Sequence, residues 1–186
     1  MLSAQDKDAI RQRGEITRRI EFNDPASHCL LQGNLRILKT ENPKSFNFVE
    51  VGEWVRQGHH SNSSEMNSLE FRERLVNDEN GNTISRRIYE KHGDAFEIKE
   101  EWSSELIEGR FLQHVKAYEN GVLVNEYTRK VLNYLEPKSD LKKDKIPFGT
   151  DKGYYPDGKL AYMRSYDDNG RLISEETSPA IRKWQF

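Results

Sequence analysis

The chain has 186 residues, with 29 basic and 31 acidic side chains and a formal net charge of −2, so no global positive field draws it to nucleic acid or to an anionic membrane. Charged residues make up 32% and hydrophobic residues 34%, with a mean hydropathy of −0.93, which puts many side chains on solvated faces; the 8 Phe, 8 Tyr and 3 Trp exclude the aromatic-poor composition of disordered chains. Cys29 is the sole cysteine, which excludes an internal disulfide framework and suits a reducing compartment, the cytoplasm.

At the N-terminus no apolar leader segment is visible, and no run of roughly 18 apolar residues that would span a bilayer occurs. Ser3 and Asp6 stand in capping-box spacing ahead of Ala9 and Ile10, which predicts a short helix over Ser3 to Arg13. From Glu15 to Phe22, Ile16, Arg18 and Ile20 alternate with Thr17, Arg19 and Glu21 and predict a first strand. Asn23-Asp24-Pro25 ends it. Leu35 to Lys39 is a further strand. Phe46 to Arg56 carries Phe46, Phe48 and Trp54 on one pleat face and Val49, Val51 and Val55 on the other, the pattern of burial on two sides. Gly58 to Ser64 is polar and reads as a loop.

Leu69 to Val76 alternates, with Leu69, Phe71 and Leu75 opposite Glu70, Arg72 and Arg74. Asp78-Glu79-Asn80-Gly81 turns the chain into Thr83 to Glu90. After Lys91-His92-Gly93-Asp94 the next strand sets Phe96, Ile98 and Trp102 against Glu97, Lys99 and Glu101. Glu105 to Tyr118, with Gly109 as a bulge, and Val122 to Leu135 then form a hairpin about Asn120-Gly121, a dipeptide suited to positive φ at both central positions. Pro137, Lys142, Lys143, Lys145, Pro147 and Gly149 give Glu136 to Thr150 the character of a linker. Two short strands follow around the turns at Pro156-Asp157-Gly158 and Asp167-Asp168-Asn169-Gly170, and the terminal Trp184 and Phe186 are expected to dock.

The expected fold is therefore all-β (mostly β), an antiparallel meander of long hairpins with a short N-terminal helix. It is read as a single domain, 1–186. Within it lie an unassigned segment 1–44, a main meander 45–135, a linker or long loop 136–152, repeat hairpins 153–176 and a tail 177–186.

Tyr118-Glu-Asn-Gly-Val-Leu, Tyr155-Pro-Asp-Gly-Lys-Leu and Tyr166-Asp-Asp-Asn-Gly-Arg-Leu share an aromatic, a polar turn, a glycine and a hydrophobic two positions on. Ile88-Tyr89-Glu-Lys-His-Gly-Asp-Ala-Phe is a degenerate fourth copy. This pattern resembles the variant MORN repeats of bacterial antitoxin-like proteins over Thr83 to Glu176. The resemblance implies a non-catalytic, antitoxin- or immunity-like module that covers a partner protein with an aromatic and charged sheet face. Tyr118, Tyr127, Tyr155, Tyr162 and Tyr166 would form that face, since tyrosine is enriched in interface cores; ordinary sheet packing is the alternative for each of them. A second reading starts from Gly52-Glu53-Trp54, which resembles the Gly-x-Trp of a lipocalin-type first strand. It implies a β-barrel around a small apolar ligand, lined by Trp54, Phe96, Ile98 and Trp102.

No catalytic residue, cofactor or metal is expected. Among His28, His59, His60, His92 and His114 no zinc-ligand spacing occurs. His28 and Cys29 are adjacent, so on an extended segment they face opposite ways. Glu97, Glu100, Glu101, Glu105 and Glu108 carry no second, separated carboxylate of the glycosidase kind. Arg72, Arg74, Arg86, Arg87 and Arg110 lie near aromatics, but interleaved Asp and Glu dilute any groove for nucleic acid.

Overall fold

The computed structural model describes residues 2–24, 29–42, 44–60, 69–131 and 145–178. It opens with α1, Ala4–Arg13, capped at Ser3 by the expected capping box: the Ser3 hydroxyl accepts from the Asp6 amide, and the Asp6 carboxylate accepts from the Ser3 amide. Gly14, at φ 86°, closes it in the left-handed conformation, its N–H donating to the Ile10 carbonyl. A Cβ would strain that conformation, which is why glycine stands there. Ile10 is fully buried, and α1 packs on the first two strands.

The rest is a meander. The strands are β1 Glu15–Asp24, β2 Cys29–Lys39, β3 Phe46–His60, β4 Leu69–Asn77, β5 Thr83–His92, β6 Ala95–Ile107, β7 Arg110–Glu119, β8 Val122–Val131, β9 Lys145–Tyr154, β10 Leu160–Tyr166 and β11 Leu172–Thr177. Sheet order follows sequence order from β1 to β11, as short connections between antiparallel neighbours dictate. The mostly β expectation and the N-terminal helix are both met.

Three details differ from the sequence reading. Glu108 and Gly109 both take positive φ, 50° and 75°, so they form a two-residue hairpin turn between β6 and β7; Gly109 is not a bulge in one long strand. The segment expected to be a linker through Lys152 is strand β9 from Lys145. Pro147 is tolerated there because pairing with β10 stops at Gly149↔Tyr166, so its missing N–H falls where β9 lacks that neighbour. Phe48, expected in a doubly buried strand, is 56% exposed, whereas Trp54 is 1% exposed. The chain divides into two compact units, Met1–Phe96 and Glu97–Phe186. The docking expected of Trp184 and Phe186, and most of the Gly58 to Ser64 loop, fall outside the described residues.

The first unit has its core on one sheet face: Leu31, Trp54 and Leu75 cluster there, with Ile20 and Leu35 against them. The Trp54 indole lies over Gly33, its cross-strand partner, where any Cβ would overlap the ring. Its Nε1 donates to the Asn34 carbonyl at 3.2 Å. Such an aromatic covering a strand glycine fixes register as well as filling space. The Glu73 side chain is 6% exposed and sits between Arg86 and Arg56, the latter at 3.8 Å.

The register of the first unit recurs in the second. Ile20↔Gly33↔Trp54↔Leu75↔Arg86 is one row of cross-strand partners, and Val115↔Tyr127↔Asp151↔Arg164↔Glu175 is another. Beside each row a bulge opens on the central strand, at Gly52 (φ 66°) in β3 and at Gly149 (φ 65°) in β9. Beyond it, Asn77 and Tyr166 each end a strand and enter a turn of the same build. In one turn the Asp78 side chain accepts from the amides of Asn80 and Asn82 at 2.9 and 2.8 Å. In the other Asp167 accepts from Asn169 and Arg171, both at 2.8 Å. Even the tether repeats. Arg36 of β2 donates to the Glu79 carbonyl at 3.0 Å, and Lys130 of β8 donates to the Asp168 carbonyl at 2.7 Å. The chain thus carries one strand pattern twice, β1–β5 and β7–β11.

Candidate functional site

Because the two units share a register, each core position of the first has a counterpart in the second. Leu31, Trp54 and Leu75 correspond to Asn125, Asp151 and Arg164; Leu35 corresponds to Arg129, and Gly33 to Tyr127. An apolar cluster has become a set of polar and charged groups. An open cleft of about 550 Å³ lies among them, lined by Asn125, Tyr127, Arg129, Asp151 and Tyr166 and, on its apolar side, by Ile146 and Pro147.

The polar groups are arranged by their neighbours. The Asn125 Nδ2 donates to the Tyr162 hydroxyl at 2.7 Å and to the Asp151 carboxylate at 3.3 Å, while its Oδ1 is buried with no partner among the described residues. Tyr162 covers Gly153 as Trp54 covers Gly33. The Arg164 guanidinium lies 4.7 Å from the Tyr162 ring centroid and pairs with Glu175 at 2.9 Å. Arg129 donates to the Gln113 amide oxygen at 2.6 Å and lies 5.7 Å from the centre of the Tyr127 ring. Among the described residues no carboxylate pairs with it.

Burial pushes the Asp151 carboxyl above the usual aspartate range, against the hydrogen bonds from Asn125 and Tyr162 and the charge of Arg164. Burial likewise raises the Tyr127 and Tyr162 hydroxyls, with the Asp151 charge adding to both. Burial raises the cost of holding a carboxylate charged, and such perturbed groups gather at functional sites.

The tyrosines singled out from sequence do not share one face. Partners in the antiparallel ladder lie on the same face, so Tyr127, Tyr162 and Tyr166 line up with Asp151. Tyr118 is on the opposite face, its hydroxyl donating to Glu101 at 2.9 Å. Tyr155 stands in the turn after β9, its amide donating to the Lys159 carbonyl at 2.8 Å. The opposite face of the second unit is a ladder of paired charges: Lys152 meets Glu126 at 3.0 Å, Lys116 meets Glu101 at 3.8 Å, and the Tyr154 hydroxyl donates to Glu126 at 2.6 Å. Burial and the Glu126 carboxylate push the Tyr154 hydroxyl up to about 12.

Of the expected apolar lining, Trp54 and Phe96 belong to the first unit and Ile98 and Trp102 to the second. Trp54 is packed in the core, and Phe96 lies under Arg72, whose guanidinium is 4.9 Å from the ring centroid. The cleft described above contains none of the four. The side chains of His28, His59 and His60 lie outside the described residues; among those described, no group of His, Cys, Asp and Glu is placed to hold a metal ion. His114 contacts Glu105 at 2.5 Å and Thr128 at 3.0 Å. The arginines weighed for nucleic acid are partly engaged by carboxylates, Arg86 by Glu73 and Arg110 by Asp168 at 2.8 Å.

Comparison with protein-family models, curated proteins and solved structures finds no match for the chain.

Sequence reasoning singled out Tyr127, Tyr162 and Tyr166 but missed Asn125, Arg129 and Asp151. Part of the signal was present: Asn77-Asp-Glu-Asn-Gly-Asn-Thr and Tyr166-Asp-Asp-Asn-Gly-Arg-Leu are the same turn, but Trp54 and Asp151 stand at different distances before it, so only the cross-strand register sets one against the other.

Proposed function

We propose that this chain is a non-catalytic binding protein whose second unit docks a partner protein on the sheet face of Tyr127, Tyr162 and Tyr166. The observation that carries this reading is the grouping of Tyr127, Tyr166 and Arg129 around an open cleft, with Tyr162 and Arg164 on the same sheet face. Tyrosine and arginine together are the residues that dominate interface energies, because each combines broad apolar or planar contact with directed hydrogen bonds. An antitoxin- or immunity-like role in a bacterial cytoplasm is the form of partner binding that the hairpin-repeat resemblance implies. The apolar-ligand reading finds less support, since the cleft walls are rich in charged and amide groups and Trp54 is committed to its own core.

The test is a pull-down with tagged full-length protein from lysate of the native host. Three baits are compared: wild type, a Tyr127→Ser/Tyr166→Ser double variant, and Lys116→Ala on the opposite face. The expected result is one protein recovered near equimolar with wild type and Lys116→Ala and lost with the double variant. Recovery of no stoichiometric protein, or recovery indifferent to the double variant, would refute the reading.

A further inference from the structure

We propose that the cleft of the second unit is a site for a zwitterionic ligand of the α-amino-acid class, its ammonium held by Asp151 and the Asn125 Oδ1 and its carboxylate by Arg129. The inference goes beyond partner binding and does not depend on it.

Three observations point the same way. The Asn125 amide is oriented by its nitrogen, which is committed to Asp151 and Tyr162; the Oδ1 that remains is a buried acceptor without a partner among the described residues. A buried acceptor left unpaired costs free energy, so it calls for a donor. Next to it stands the Asp151 carboxylate, whose hydrogen bonds come from neutral groups, the Asn125 amide and the Tyr162 hydroxyl. Two acceptors side by side, one of them charged, match the three donors of an ammonium group.

Arg129 supplies the complementary charge. Its described hydrogen bond goes to the neutral Gln113, which leaves guanidinium donors for a carboxylate, the partner its planar fork fits best. Asp151 faces Tyr127 across the ladder, Arg129 is two residues further along β8 beyond the bulge, and both line the same cleft. An α-amino acid carries its ammonium and its carboxylate on one carbon, so a single small ligand in this cleft meets both charges. Tyr127, Tyr166 and Ile146 wall the remaining volume and would receive the ligand's side chain. In the first unit the corresponding positions include Leu31, Trp54 and Leu35, packed against one another. A chain that can fill this place with a core has instead put a matched acceptor pair and cation there.

Isothermal titration calorimetry of the full chain against each of the twenty L-α-amino acids tests this. At least one is expected to bind, with N-acetylation and methyl esterification each weakening it by about tenfold or more, as the loss of a charged hydrogen bond implies. Arg129→Gln is expected to weaken the parent amino acid to a similar degree, after which esterification costs little more; Lys116→Ala should change nothing. The derivative series needs no variant, so it decides the matter even where a substitution disturbs folding. Failure of every amino acid to bind at roughly 10 mM, or derivatives that bind as well as the parent, would overturn the proposal. The calorimetry requires no partner protein and the pull-down no amino acid, so the two readings fail separately.

Discussion

Single side chains already separate the two faces of the second unit. On the paired-charge face, the Tyr154 hydroxyl is held at about 12 by burial and by donating to Glu126. Its proton is retained more tightly in the folded chain than in the unfolded one, so its contribution to stability is full below the ordinary tyrosine value of 10.0. That contribution is lost as pH rises toward the folded value. Spectrophotometric titration near 295 nm should therefore show a late-ionising tyrosine in wild type that is missing in Tyr154→Phe; equal titration curves would contradict the assignment. In the first unit, Gly33 is required by the indole that lies on it. Gly33→Ala forces Trp54 out of its place and should destabilise the fold by about 1–3 kcal/mol, read from urea unfolding.

Turns are the elements that carry the repeated pattern. Partial burial pushes the Asp78 carboxyl up, but hydrogen bonds from the Asn82 side chain and from the amides of Asn82, Asn80 and Gly81 outweigh it and hold it below the ordinary value. A depressed carboxyl stabilises the fold above its ordinary value and ceases to do so as pH falls through its folded one. Asp78→Ala should thus cost about 1–2 kcal/mol at neutral pH, and the gap to wild type in urea unfolding should close as pH drops below 3.8, the ordinary value for an aspartate.

At this scale most of the fold is legible in the sequence. The capping box at Ser3 and Asp6, the alternation of Glu15 to Phe22 and the Asn120-Gly121 turn all act through local chemistry that sequence displays. The Glu108-Gly109 turn is not legible, because glutamate is an uncommon residue at positive φ and nothing local distinguishes a turn from a bulge. Strand β9 is hidden by Pro147 and Gly149, which break strands in general. They are accommodated here by an incomplete β10 neighbour and a bulge, both of them long-range facts. The tyrosines of the site are legible by composition, whereas Asp151 and Asn125 look like ordinary surface residues until the ladder sets them in the places of Trp54 and Leu31.

In the molecule as a whole, one strand pattern occurs twice, and its central positions serve packing in the first unit and, in our proposal, binding in the second. Binding sites hold polar groups at a cost in stability, so restoring the packing should recover it. The most direct measurement is thermal unfolding, followed by near-ultraviolet circular dichroism, of a variant carrying Asn125→Leu, Tyr127→Gly, Asp151→Trp and Arg164→Leu. These substitutions transplant Leu31, Gly33, Trp54 and Leu75 into the equivalent places. The predicted result is a cooperative transition with a midpoint at or above that of wild type, because an indole over a strand glycine fills the cleft as it fills the first unit's core. A midpoint well below wild type, or loss of the cooperative transition, would contradict the equivalence of the two units and with it the location of the site.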